Sequence, residues 1–139
     1  MNRIVKIKGL GNLIRRCLTN IGTGNNSSYY NVVCFIADRG NSINMKELNI
    51  AFCMQGPSVT ILTNDMIRSG LVTKTVDKQD LRSKMLTLTD KGKALAKEVK
   101  PALTEIDSML EQDIKQKDIE TFDKVLNQMI NNGEENWFK

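Results

Sequence analysis

Few side chains in this sequence are equipped for chemistry, and their types and spacing narrow what that chemistry is. The 139 residues include no histidine, so a Ser-His or Cys-His nucleophilic pair is excluded. Cys17, Cys34 and Cys53 fall in no C-x-x-C spacing and suggest neither a zinc site nor a disulfide framework. No metal and no cofactor are expected. Without paired carboxylates or a phosphate loop, an enzyme is the weakest of the functional readings. Charged recognition remains. Residues 80–92 read DLRSKMLTLTDKG, with Asp80 two residues before Arg82 in a polar turn between two short alternating runs. An aspartate so placed can hold the guanidinium in one orientation and present its fork to a phosphate or a narrow minor groove. Lys78 shares the turn, and Lys74 and Lys84 flank it.

The elements that must position these residues follow from periodicity. Leu71, Thr73 and Thr75 alternate with Val72, Lys74 and Val76, and SKMLTL alternates again after the turn DKQDLR, so a β-hairpin is predicted. Before it, Ser42 or Asn44 can cap a helix that turns Leu48, Ala51 and Phe52 inward. Gln55-Gly56-Pro57 breaks that helix, and Pro57 suits the first turn of a second one. The second helix buries Val59, Leu62, Met66 and Ile67, stops at Gly70, and leaves Ser58, Thr60, Ile61, Asn64 and Arg68 outward. Two short helices joined this way form a helix-turn-helix, whose second helix is often the one offered to the major groove, and the hairpin after it is a wing. A plain helical hairpin with solvated faces is the bland alternative. The DNA-facing set is Gln55, Ser58, Thr60, Ile61, Asn64 and Arg68 on the helix, with Lys74, Lys78, Asp80, Arg82 and Lys84 on the wing.

Outside this centre, Ile4, Ile7, Leu10, Ile14, Cys17, Leu18 and Ile21 recur at steps of three and four, which predicts an amphipathic first helix despite Gly9 and Gly11. NIGTGNNSS is a loop whose Ser27 or Ser28 can cap the next helix, and YYNVVCFIAD is apolar nearly all round, as a central helix is. Thr89 or Asp90 starts a long helix with a stripe of Leu95, Val99, Leu103, Ile106 and Leu110, in which Pro101 should produce a bend near Lys97. A last helix carries Ile119, Phe122, Val125, Leu126, Met129 and Ile130 on one face. So small a core cannot cover these stripes, so a partner subunit is expected to cover Ile7, Leu10, Ile14, Ile119, Phe122, Val125 and Met129, and also Trp137 and Phe138; an intramolecular bundle is the alternative.

The fold class expected is mainly α with a small β-hairpin wing: one winged helix-turn-helix domain over residues 1–139, with the DNA-binding part at 28–92 and dimerisation helices at 1–26 and 103–139. Charge agrees without deciding. Residues 1–102 carry sixteen Lys and Arg against seven Asp and Glu, or +9, and residues 103–139 four against nine, or −5. A basic body suits a polyanion, although ordinary solvated faces give the same sums. No apolar run nears the roughly 18 residues of a membrane span, and Lys6, Lys8, Arg15 and Arg16 interrupt the first stretch, so a cytoplasmic protein is expected.

The run from Leu71 to Gly92, with Asp80-x-Arg82 followed by Leu88-Thr89-x-Lys91-Gly92, and with Pro57-Ser58-Val59-Thr60 upstream, resembles the signature of the MarR family of bacterial winged-helix regulators. The resemblance implies an obligate homodimer joined through its terminal helices. It also implies repression or activation of transcription at a pseudo-palindromic double-stranded operator, commonly tuned by a small ligand or an oxidant. Some relatives sense peroxide through a first-helix cysteine near tyrosines, which singles out Cys17 beside Arg15, Arg16, Tyr29 and Tyr30, although a buried, inert Cys17 is the reading that the burial habit of free cysteine favours; Cys34 and Cys53 are read as core thiols. One departure stands out. Ile61 lies where many members carry Arg, and residues 55–69 have no net charge, which motivates a rival reading: a winged-helix interaction or ligand-binding module that does not read DNA.

Overall fold

The computed structural model describes residues 2–137, and Phe138 lies outside them. The element order is α1 (Arg3–Thr19), a 3-10 turn (Ser27–Tyr29), α2 (Tyr30–Asp38), β1 (Ser42–Asn44), α3 (Met45–Phe52), α4 (Gly56–Arg68), β2 (Val72–Val76), β3 (Lys84–Leu88), α5 (Asp90–Leu110) and α6 (Gln116–Trp137). Residues up to Ile106 make one compact unit, and those from Asp107 onward a second.

The first unit is built around α2. Val33 and Ile36 are wholly buried, and Tyr30, Val32, Ile43, Leu48, Val59, Met66, Leu71, Val72, Leu86 and Val99 close round them with at most 2% exposure. The Tyr30 ring is anchored by its hydroxyl, 2.7 Å from Thr23 Oγ1, so even its polar end is satisfied. Neither Ser27 nor Ser28 caps α2: the chain first makes a 3-10 turn, which Asn26 caps by accepting from the Ser28 amide, and α2 follows from Tyr29 without a side-chain cap. Gly40 and Asn41 end α2 at φ 83° and 74°.

β1 was not foreseen. Three residues are too few for an alternation to show, and the strand exists because Ile43 must be buried and β3 offers an edge: Ser42, Ile43 and Asn44 pair antiparallel with Thr87, Leu86 and Met85. β3 is thereby the middle strand of β1-β3-β2. The hairpin forms as expected, Val72 opposite Leu88 and Val76 opposite Lys84. The alternation translates into burial only where the hairpin meets the core: Val72, Leu86 and Leu88 are buried, whereas Thr73, Lys74, Thr75, Val76 and Lys84 are exposed toward the tip.

Two inward assignments are corrected. Ala51 is exposed, because α3 ends at Phe52 and its inward face is made by Leu48 with the half-buried Met45 and Phe52. Cys53 is exposed too: it closes α3 with left-handed backbone, φ 50°, which swings its side chain outward. α5 runs unbroken from Asp90 to Leu110 with Pro101 inside it, so the expected bend does not end the helix. In the second unit α6 buries no residue within its own chain; Ile119 and Leu126 are half-buried.

Candidate nucleic-acid interface

α3 begins in a reciprocal capping box, in which the Asn44 side chain accepts from backbone and Glu47 returns a bond to the Asn44 amide. After Cys53 the chain turns through Gln55, and Pro57 sits in the first turn of α4, where its missing N–H costs nothing. Val59 and Met66 lock the inner face, as does Thr63, fully buried with its hydroxyl donating to the Val59 carbonyl at 2.9 Å. The outer face is therefore fixed, and it presents the expected Ser58, Thr60, Ile61, Asn64 and Arg68. Two of these are engaged locally: Thr60 Oγ1 donates to the Gly56 carbonyl at 2.9 Å, and Arg68 is ion-paired with Asp65. Ser58, Ile61 and Asn64 face solvent, as does Gln55 at the helix entry.

The wing tip is held by two aspartates. Asp77 Oδ1 accepts from the Gln79 amide at 2.9 Å, and its Oδ2 accepts from Asn44 Nδ2 at 2.9 Å. Asp80 Oδ1 accepts from the Arg82 amide at 3.1 Å, while Oδ2 accepts from Ser83 Oγ at 3.2 Å and Lys46 Nζ at 3.4 Å. Donors that favour the ionised form hold both carboxyls below their ordinary value of 3.8: first the Gln79 amide and then Asn44 for Asp77, and first the Arg82 amide for Asp80. The expectation that Asp80 orients the Arg82 guanidinium needs refining. Its shorter bond goes to the Arg82 backbone, and Arg82 Nε lies 3.5 Å from Oδ1, with the side chain 94% exposed. Asp80 thus shapes the turn, and the turn projects Arg82 away from the body. Lys74, Lys78 and Lys84 are exposed around it.

Sequence reasoning missed Lys46 and the second role of Asn44. Asn44 was legible as a cap, but its bond to Asp77 spans 33 residues and no local pattern announces it. It also missed how Leu88-Thr89-x-Lys91-Gly92 works. Thr89 Oγ1 accepts from the Gly92 amide at 3.1 Å and donates to the Gly70 carbonyl, which caps α5 and ties it to the end of α4. Lys91 Nζ donates to the Ser69 carbonyl at 2.7 Å, satisfying the carboxy-terminal end of α4. A Cβ on Gly92 would lie 2.1 Å from the Leu71 carbonyl oxygen. The motif is a clamp that sets α4, the wing and α5 in one relation.

The expected dimer residues fall on exposed apolar faces, with two exceptions. Ile7 and Leu10 are exposed on α1 with Ile4, Val5 and Leu13, but Ile14 turns half inward and packs on its own core. Phe122, Val125 and Met129 are exposed on α6 with Ile130, whereas Ile119 is half-buried. Trp137 is 83% exposed. Cys17 is half-buried; Cys34 is buried with its thiol donating to the Ala96 carbonyl, and burial, followed by the nearby Asp38, pushes its pKa up.

No protein-family model matches the sequence, and no curated protein matches it. Solved structures do. The transcription regulator MarR from Oenococcus oeni PSU-1 superposes with a TM-score of 0.76 at 18% identity, over 93% of this chain and 97% of that one. MepR of S. aureus in its complex with DNA gives 0.79 at 16% identity, over 95% and 98%. The PcaV regulator from Streptomyces coelicolor, solved with its natural ligand, gives 0.77 at 14% identity, over 94% and 93%. The helix-turn-helix, the wing and the clamp behind them are thus parts of a winged-helix fold of the MarR type.

Proposed function

We propose that this protein is a homodimeric, sequence-specific DNA-binding transcription regulator, a repressor, whose two recognition helices read a pseudo-palindromic operator. The observation that carries the reading is the wing tip. Arg82 is 94% exposed, with no packing role of its own, on a turn braced by Asp80, Lys46 and Asn44. A cation held off the body on the hairpin that follows a solvent-facing helix suits a phosphate or minor-groove contact flanking a major-groove contact. The apolar faces of α1 and α6 support the dimer, and two-fold symmetry then places half-sites about one helical turn apart. A small effector belongs to the same reading. PcaV was solved with a ligand, and here a cavity of about 220 Å³ lies between α2 and α5, floored by Ala37 and Ala96 and rimmed by Lys93, Lys97 and Lys100.

Fluorescence anisotropy against the protein's own upstream DNA tests the regulator, with saturable, competitor-resistant binding expected. Light scattering tests the dimer, which should weigh about twice the 15.7 kDa chain at micromolar concentration. A second reading, an interaction module that reads no DNA, is favoured by the Asp65–Arg68 pair, which neutralises α4, and by the exposed Ile61 and Leu81. Indifference to every duplex would establish it instead.

A further inference from the structure

The outer face of α4 has an unusual balance for a helix in a major groove. Guanine is most often read by Arg or Lys, whose donors reach its O6 and N7 acceptors. Here the only cation on that face, Arg68, is paired with Asp65 one turn earlier. Thr60 has spent its hydroxyl proton on the Gly56 carbonyl and offers only an acceptor. The side chains left to meet base edges are Gln55 at the helix entry and Ser58, Ile61 and Asn64 on the helix, and Ile61 is 64% exposed, a large β-branched hydrocarbon held in water where the outer face is otherwise polar. Nothing in its own chain explains that exposure. The face is rigid, because Val59, Thr63 and Met66 are fully buried on the opposite side.

Ile61 and Asn64 stand three residues apart, one above the other on a single face, separated by about 4.5 Å along the axis. Asparagine matches adenine, donating to N7 and accepting from N6, and an exposed aliphatic side chain matches the one apolar group in the major groove, the thymine C5 methyl. We infer that the half-site is read as an A·T step, with Asn64 on the N6–N7 edge of an adenine and Ile61 on the methyl of a neighbouring thymine, so that discrimination rests on a methyl group and on adenine's N6 amino group, with N7 completing the bidentate pair, and not on guanine. This rests on the DNA-binding reading above and gives it a substrate class: operators whose recognised step is A·T.

The test begins by selecting duplexes from a randomised library with the wild-type protein. In the selected duplex each thymine is then replaced singly by deoxyuridine, which lacks only the C5 methyl, and each adenine by 7-deazaadenine, which lacks only the N7 acceptor. Because the protein is unaltered, no question of folding arises. At one thymine per half-site, uracil should weaken binding about four-fold, the worth of one buried methyl. At one adjacent adenine the deaza base should weaken it about ten-fold, the scale of a bidentate contact. With Ile61→Ala, thymine and uracil should bind alike; with Asn64→Ala, adenine and its deaza form should bind alike. Tight selected sites whose affinity ignores both analogues, or whose critical pairs are G·C, would overturn the inference and leave DNA binding intact. Failure to enrich any duplex, with no affinity for random DNA, would overturn the DNA-binding reading itself.

Discussion

Replacing Arg82 by alanine separates a wing that touches DNA from a wing that merely completes the fold. The Arg82 side chain is 94% exposed, and its one ion pair, Nε to Asp80 Oδ1 at 3.5 Å, is long and open to solvent. Exposed pairs of this kind contribute about 0–1 kcal/mol, so the melting temperature of Arg82→Ala should stay within about 3–4 °C of wild type. The turn is held by the Asp80 carboxylate through the Arg82 amide, Ser83 Oγ and Lys46 Nζ, and the substitution leaves all three bonds available. DNA affinity should fall by about 1–3 kcal/mol per subunit on specific and scrambled duplexes alike, because a phosphate contact carries no sequence information. For a dimer losing two phosphate contacts, the slope of log K against log salt should flatten by about 1.8. On a site with a narrow A·T-rich groove under the wing the loss should be larger. Asp80→Asn and Asp80→Ala complete the series. Asparagine keeps an oxygen for the Arg82 amide and should preserve the turn, whereas alanine should release it, seen as faster hydrogen exchange at the Arg82 amide together with weaker binding. The assay is anisotropy at four or more salt concentrations beside thermal melts. If Arg82→Ala binds normally and melts well below wild type, the Asp-x-Arg pair is a brace and the wing contacts nothing.

Gly92→Ala should be among the most damaging single-methyl changes in the chain. The added Cβ would meet the Leu71 carbonyl oxygen at 2.1 Å, and backbone there cannot give without opening the clamp, so a loss of about 1–3 kcal/mol or more is expected in urea unfolding; a neutral result would mean that the clamp is loose. Stability against pH should be flat between about 5.5 and 7, since the chain has no histidine to titrate there. Asp77 and Asp80 have folded pKa values depressed below 3.8, so their support of the wing is complete above that value and is lost as pH falls through it toward the folded values. A urea series at decreasing pH should show this, with a smaller acid-induced loss in Asp80→Asn. Limited thiol labelling should modify the exposed Cys53 first, Cys17 more slowly and Cys34 last. A peroxide-sensing Cys17 predicts that oxidant releases DNA from Cys53→Ser but not from Cys17→Ser; release governed by Cys53, or no release, would retire that idea.

Local signals in the chain determine much of this protein. A period of three to four in α1, α4, α5 and α6, a period of two around a polar turn, and Pro57 and Gly70 at the ends of α4 suffice for a helix-turn-helix and wing, because each depends on residues within a turn or two of one another. The outward set Ser58, Thr60, Ile61, Asn64 and Arg68 was legible for the same reason: once the inner stripe is known, the outer face is its complement. What the sequence could not decide are relations between distant residues. β1 is a strand only because β3, more than forty residues on, gives it an edge. Asn44 meets Asp77, Lys46 meets Asp80, and Gly92 meets Leu71 only after the helices and wing have packed. Tertiary structure also decided which outward groups are open to solvent and which are already engaged. Arg68 and Thr60 read as available donors until Asp65 and the Gly56 carbonyl take them, and Cys53 read as core until a left-handed residue at the end of α3 turned it to solvent. Periodicity reports which way a side chain points, whereas its partners and its exposure are set by the packing of the whole unit.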